Sequence, residues 1–168
     1  GTLITREKAR ILKEIGLSYV GISLDGMEAV NDRFRGVRGA YAKALEGIRN
    51  CQKAGIKVGL RFTINKANVA EIPKIFDLLE EMQIPRICFY HLVYAGRGSK
   101  LIQDDLSHAE TRAAVDLIID RTKDLHDRGK PKEVLTVDNH ADGPYLYLRL
   151  GRENPERAKG VLELLKMN

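Results

Sequence analysis

The feature that most constrains this chain is a repeated switch between two apolar periodicities. Short β-prone runs alternate with helical stretches of more than ten residues along most of its 168 residues. Thr5 is placed to cap a helix that shows Ala9, Leu12 and Ile15 on one face and stops at Gly16. Tyr19 to Leu24 reads as a strand, closed by the turn pair Asp25-Gly26. A helix follows from about Ala40 to Ala54, then a strand from Lys57 to Ile64. Asn68 with Glu71 three residues later predicts a capping box, opening a helix with Ile72, Ile75, Phe76, Leu79 and Met82 inward. Pro85 precedes a strand from Arg86 to about Leu92, and Ser107 with Glu110 predicts a second capping box for a long helix ended by Gly129 and Pro131. Val134 to Val137 is a short apolar segment, and Asn154-Pro155 starts a last helix.

Strands separated by helices of this length build right-handed βαβ units and a parallel sheet. Three strong strands and one weak one are too few to close a barrel, so the edge beside Tyr19–Leu24 should stay unpaired. Either the sheet is small and open, or the chain is a slice of a larger barrel. A first helix with no strand before it favours the slice, and a start at Gly1 rather than Met suggests a natural N-terminus that is missing or processed.

In parallel α/β architectures ligands gather at the C-terminal strand ends. Those ends carry Ser23, Asp25, Asn31, Asp32 and Arg35, then Arg61, Thr63 and Asn65, then His91, Tyr94 and Gly96-Arg97-Gly98. Hydroxyls, amides and guanidiniums converging there suit a polar ligand bearing a carboxylate and a ribose, since arginine binds carboxylate bidentately. The net charge of +5 is uneven, with +7 in residues 1–100 and −2 in the remainder. That excess fits an anionic small ligand or a merely soluble surface. No Lys/Arg run, zinc-finger spacing or RNA-binding aromatic motif points to nucleic acid. No apolar run reaches the roughly 20 residues of a membrane span, and no signal peptide is visible, so a cytoplasmic protein is expected. Cys51 and Cys88 are far apart and have no metal-ligand spacing, which makes them candidate buried thiols of a reduced protein.

The run Val20-Gly21-Ile22-Ser23-Leu24-Asp25-Gly26, followed by Asn31-Asp32-Arg33-Phe34-Arg35-Gly36, resembles the fourth-strand signature of radical S-adenosylmethionine (SAM) enzymes with a C-terminal SPASM-type extension. The opening Gly1-Thr2-Leu3-Ile4-Thr5 looks like the end of that family's third-strand turn, Leu60 to Asn65 like its fifth strand, and Phe89 to Gly98 like its sixth. The resemblance implies a partial TIM-like (β/α)6 barrel whose N-terminal strands are missing from this chain. Such a barrel holds SAM and a [4Fe–4S] cluster, and reductive cleavage of SAM gives a 5′-deoxyadenosyl radical that takes hydrogen from substrate. It also implies an electron donor for the cluster.

Carried over residue by residue, Ser23 matches the hydroxyl on the SAM ribose and Arg35 an arginine that assists SAM binding. Val93, or Leu92 in the alternative register, matches the backbone position beside the adenine. Asp25 is expected to fix the loop by accepting backbone hydrogen bonds. Arg61 is a further SAM candidate, or a partner for a carboxylate within the barrel.

The family's CxxxCxxC loop and Gly-Gly-Glu segment have no counterpart here, so this chain alone should neither hold the cluster nor cleave SAM. The run from Val134 to Tyr145 is similar to a segment of the radical SAM enzymes of haem d1 and siroheme-dependent haem biosynthesis. It implies a didecarboxysiroheme-like substrate whose propionate or acetate side chains are removed or oxidised. His91, Arg97 and His140 are the candidate substrate contacts; a core histidine, a loop residue and a turn histidine are their structural alternatives. Residues 1–133 are expected to be later βα units of the barrel, and residues 134–168 an extension toward a SPASM-like region. Two other functions stay open: a peptide-modifying SPASM maturase, and a non-catalytic α/β module binding a nucleotide or phosphate, for which Gly96-Arg97-Gly98 is the sole candidate loop.

Overall fold

The computed structural model describes residues 1–167, without the side chains at positions 97, 98 and 100. Helix α1 (Arg6–Glu14) leads into β1 (Tyr19–Ser23), α2 (Glu28–Arg35), α3 (Ala40–Lys53) and β2 (Lys57–Thr63). A 3₁₀ turn (Val69–Glu71) then enters α4 (Ile72–Glu81), followed by β3 (Arg86–Tyr90) and a 3₁₀ segment (Gly96–Asp104). The remaining elements are α5 (His108–Asp127), β4 (Glu133–Val137), α6 (Asp142–Glu153) and α7 (Pro155–Lys166).

The four strands form one parallel sheet in the order β1-β2-β3-β4, each beside its successor. Consecutive order with right-handed crossovers sends the connecting helices to the same side of the sheet. The core lies there: Ile22 and Leu24 of β1 and its exit, Leu60 and Phe62 of β2, and Ile87 and Phe89 of β3 pack with residues of α3, α4 and α5. Phe89 is its centre, in edge contact with Phe62 and stacked on Phe76, both with ring centroids 5.6 Å apart. A single-wound parallel sheet of this kind is an arc of a barrel, as the sequence implied. The expected boundary after residue 133 falls at the first residue of β4, which pairs with β3 along its length.

Several local signals act as read. The Thr5 hydroxyl accepts from Lys8 N, the Asn154 carbonyl oxygen from Arg157 N, and Ser107 with Glu110 makes a full capping box. The signal at Asn68 does not. Asn68 and Glu71 turn away from the helix start to bond the β1 exit, so the chain takes a 3₁₀ turn and α4 begins only at Ile72. Two helices, α2 and α6, stand in stretches for which the sequence reading named no element.

The far ends of α4 and α5 are joined by charge. Arg128 grips Glu80 through both guanidinium nitrogens, at 2.9 and 2.6 Å, and Lys130 adds a third contact at 3.1 Å. The Arg128 hydrogen bond, then that of Lys130, lowers the Glu80 carboxyl from 4.5 to about 2. A carboxyl depressed on folding contributes stability above its unfolded value and loses it as pH falls. The gap in denaturant midpoint between the parent and Glu80→Gln should therefore be full above pH 4.5 and closed near pH 2, in paired urea titrations across that range.

Candidate functional site

The C-terminal end of β1 is set by a buried aspartate. Asp25 follows the strand directly and is fully buried. Its Oδ1 accepts from Thr63 N at 2.9 Å, its Oδ2 pairs with the Arg35 guanidinium, and its own N–H donates to Asn31 Oδ1 at 3.0 Å. Asn68 Nδ2 donates both to Asp25 O at 3.1 Å and to Thr63 O at 2.8 Å, which bolts the exits of β1 and β2 together. Gly26 makes the turn possible, because its φ of +144° suits only glycine and a Cβ there would meet Val30 at 2.8 Å. Glu71 closes the loop from below by accepting from Met27 N at 2.9 Å and Lys74 Nζ at 2.7 Å.

Electrostatics follow from this packing. Burial pushes the Asp25 carboxyl above its ordinary range, and the Thr63 N–H and Arg35 guanidinium only partly offset it. For Glu71, burial acts in the same upward direction, but the bonds from Lys74 and Met27 win and hold the carboxyl low. Asp25 thus has the loop-fixing geometry expected of it. Arg35 is tethered to Asp25 yet keeps 39% of its side chain exposed. Asp32, the other acid of the segment, accepts from Gly39 N and Tyr41 N and so anchors the start of α3.

The helix-free face of the sheet carries three cross-strand rows. Gly21, Gly59, Arg86 and Glu133 form one, and Ser23, Arg61, Cys88 and Leu135 the next. Thr63, Tyr90 and Val137 form the third, nearest the tips. Ser23 and Arg61 are side-by-side partners, both exposed. Ser23 ends β1 on the open face, and Arg35 is anchored two residues beyond it, at Asp25.

The other candidates lie elsewhere. His91 continues β3 on the side shared with Phe89 and pairs through Nε2 with Asp142 Oδ2 at 2.7 Å, while Asn139 Nδ2 holds Asp142 Oδ1 at 2.8 Å. His91 and Asp142 are both nearly enclosed and latch the start of α6 to the sheet. Sequence reading missed Asp142, because nothing in Asp138-Asn139-His140-Ala141-Asp142 marks which acid turns inward. His140 is exposed on the β4–α6 turn, and Val93 is exposed beyond β3. The Arg97 side chain lies outside the described residues.

An iron–sulfur cluster does not fit the residues present. Cys51 is sealed in α3 against the core, Cys88 is buried on the opposite face of the sheet, and burial pushes the Cys51 thiol up, away from the thiolate a ligand requires. No group of three or more His, Cys, Asp or Glu among the described residues could hold a metal ion. A nucleoside with a carboxylate suits the donors better: the β1 exit offers the exposed Ser23 hydroxyl and the part-exposed Arg35 guanidinium. No helix of the described residues is long and apolar enough to cross a membrane.

Residues 1–79 match the radical SAM superfamily. The whole chain is 69% identical, over 168 residues, to Fe-coproporphyrin III synthase of Methanosarcina barkeri, covering 42% of that protein. It is 48% identical over 146 residues, 86% of its length, to pre-heme d1 synthase of Dinoroseobacter shibae, covering 36% of that relative. The structure of anSMEcpe with bound AdoMet and the Kp18Cys peptide superposes over 80% of the chain with a TM-score of 0.67 at 16% identity, covering 38% of that protein, a likeness of fold. The chain spans about two fifths of the length of the curated relatives it matches. The match over residues 1–79 and these relatives place the chain in the radical SAM superfamily, to which it belongs.

Proposed function

We propose that this chain supplies later strands of a radical SAM barrel in a protein that remodels the carboxylate side chains of an iron tetrapyrrole. The observation that carries this reading is 69% identity, along all 168 residues, to a protein named for Fe-coproporphyrin III. The 48% identity to pre-heme d1 synthase supports the same substrate class. SAM and a reduced [4Fe–4S] cluster, when bound, supply hydrogen-abstraction chemistry. The ligands of that cluster are not residues of this chain.

What the chain contributes is placement. Ser23 presents its hydroxyl on the open face for the SAM ribose, and Asp25 holds Arg35 at the same tip for its carboxylate. Val93, or Leu92, offers backbone beside the adenine. The His91–Asp142 latch fixes α6 against the tip, which sets His140 on the rim where a substrate enters. Residues 1–133 serve as βα units, and residues 134–168 add the strand and helical pair beyond them. The cluster needs an electron donor.

The test uses the whole protein, reconstituted without oxygen and given SAM, reductant and a didecarboxysiroheme. Mass spectrometry should show SAM consumed and the tetrapyrrole shortened at its side chains. Ser23→Ala should weaken SAM binding about 5- to 10-fold in equilibrium dialysis, the worth of one neutral hydrogen bond. A reconstituted parent that leaves the tetrapyrrole unchanged overturns the substrate; a Ser23→Ala protein with full SAM affinity overturns the site.

A further inference from the structure

Deeper on the open face, below the strand tips, two glycines pair directly across β1 and β2: Gly21 with Gly59. Each is overlain by a side chain from the other strand. A Cβ on Gly21 would sit 2.6 Å from Arg61 Nε and 3.3 Å from its Cδ, so Arg61 lies flat across β1, folded back from its own row toward the strand start. A Cβ on Gly59 would sit 2.2 Å from the Tyr19 hydroxyl, so Tyr19 lies across β2. The Arg86 guanidinium covers the Tyr19 ring, 5.4 Å from its centroid. The result is a pair of Cβ-free positions covered by the Arg61 guanidinium and the Tyr19 phenol, with the Arg86 guanidinium beside them.

Charge on this strip is only partly balanced. Arg86 faces Glu133, whose Oε2 lies 3.6 Å from its buried Nε, within ion-pair range but too far for a hydrogen bond. Arg61 is exposed, and no carboxylate of the described residues lies within ion-pair distance of it. An exposed guanidinium with no carboxylate partner of its own is suited to bidentate contact with a carboxylate. The Gly21 row is two residues below the Ser23 row, about 7 Å along the strand. A ligand group held there is separate from one held at the Ser23–Arg35 tip.

We propose that Arg61, with Arg86 and Tyr19 beside it, is a carboxylate subsite for a side chain of the macrocyclic substrate, and that Gly21 is its positioning residue. The missing Cβ of Gly21 lets the Arg61 side chain lie along β1, and the exposed guanidinium takes the carboxylate. This inference rests on the tetrapyrrole reading above. It moves Arg61 from the SAM site, where the sequence had put it, to the substrate.

Binding to the reconstituted whole protein separates the possibilities, with iron coproporphyrin III as the carboxylate probe and iron etioporphyrin, the same macrocycle without carboxylates, as the control. Absorbance titration should show the parent preferring iron coproporphyrin III. Arg61→Gln should weaken that probe about 10- to 100-fold and lose the preference, and Arg61→Lys should recover part of it, since a charged bidentate contact is removed and then half restored. Gly21→Ala, which must push the Arg61 side chain aside, should reproduce several-fold of the loss with no charge removed. SAM affinity, measured in parallel, should hold in all three and reports that they are folded. If the parent binds the probe and Arg61→Gln binds it equally well, the subsite is wrong and the tetrapyrrole reading stands. If SAM affinity falls in step with Arg61→Gln, the residue serves SAM and the subsite is again wrong. If the parent binds neither porphyrin, the substrate reading falls and takes this inference with it.

Discussion

Asp25→Ala should lower folding stability by about 3 kcal/mol, the range for removing one partner of a buried, charged hydrogen-bond network. The loss is large because one side chain serves two elements. It leaves the Thr63 N–H without an acceptor inside the protein and frees Arg35, so the joint between the exits of β1 and β2 rests on Asn68 alone among side chains. Asp25→Asn keeps an acceptor for Thr63 and should cost less. Arg35→Ala gives a pH signature instead. Burial already raises the Asp25 carboxyl, and removing the guanidinium raises it further. A carboxyl raised on folding is tolerated when protonated and costs stability as it ionises, so the sign is opposite to that at Glu80. The deficit of Arg35→Ala should be smallest in acid and grow as pH rises through the folded value, in urea midpoints taken at several pH values. A deficit independent of pH would mean that the pair is not what holds this tip.

Phe89→Ala should cost more, about 4 kcal/mol, the cost of emptying a large aromatic site in a packed core. Phe89 is fully buried at the centre of β3 and touches aromatic rings from a neighbouring strand and from α4. The layer cannot collapse onto the space without moving β3, and β3 carries His91 and the backbone at Val93. Phe89→Leu, which refills most of the volume, should cost about 1.5 kcal/mol or less. Thermal melts of the two variants check this ordering. The same variants should also loosen the His91–Asp142 latch, visible as faster amide exchange at the start of α6.

The sheet was legible in the sequence because its signals are local. Alternation of strand and helix, the caps at Thr5, Ser107 and Asn154, and the turn at Asp25-Gly26 are each decided within a few residues. What escaped was decided by distant partners. Asn68 and Glu71 have the spacing of a capping box, but the β1 exit offers buried carbonyl and N–H groups that need them more. Helix α2 has no side-chain cap at Met27, and only its packing beneath α3 and the burial of Asn31 reveal it. The role of Arg35 as ion-pair partner to Asp25, the inward turn of Asp142 and the crossing of Arg61 over Gly21 depend likewise on residues 10 to 51 positions away. Ser23 and Arg61 are adjacent only because of strand register, which the apolar pattern fixes to a face without naming the neighbour.

The consecutive order of the strands has a consequence for how the molecule is made. Because every strand lies beside the one synthesised just before it, each βα unit can dock onto a finished template as it leaves the ribosome, and none has to wedge between two strands already joined. Growth is vectorial, and it keeps a live edge at every step. That order of assembly also suits the Asp25 contact, which joins the exits of two successive strands and so can close as soon as β2 is complete.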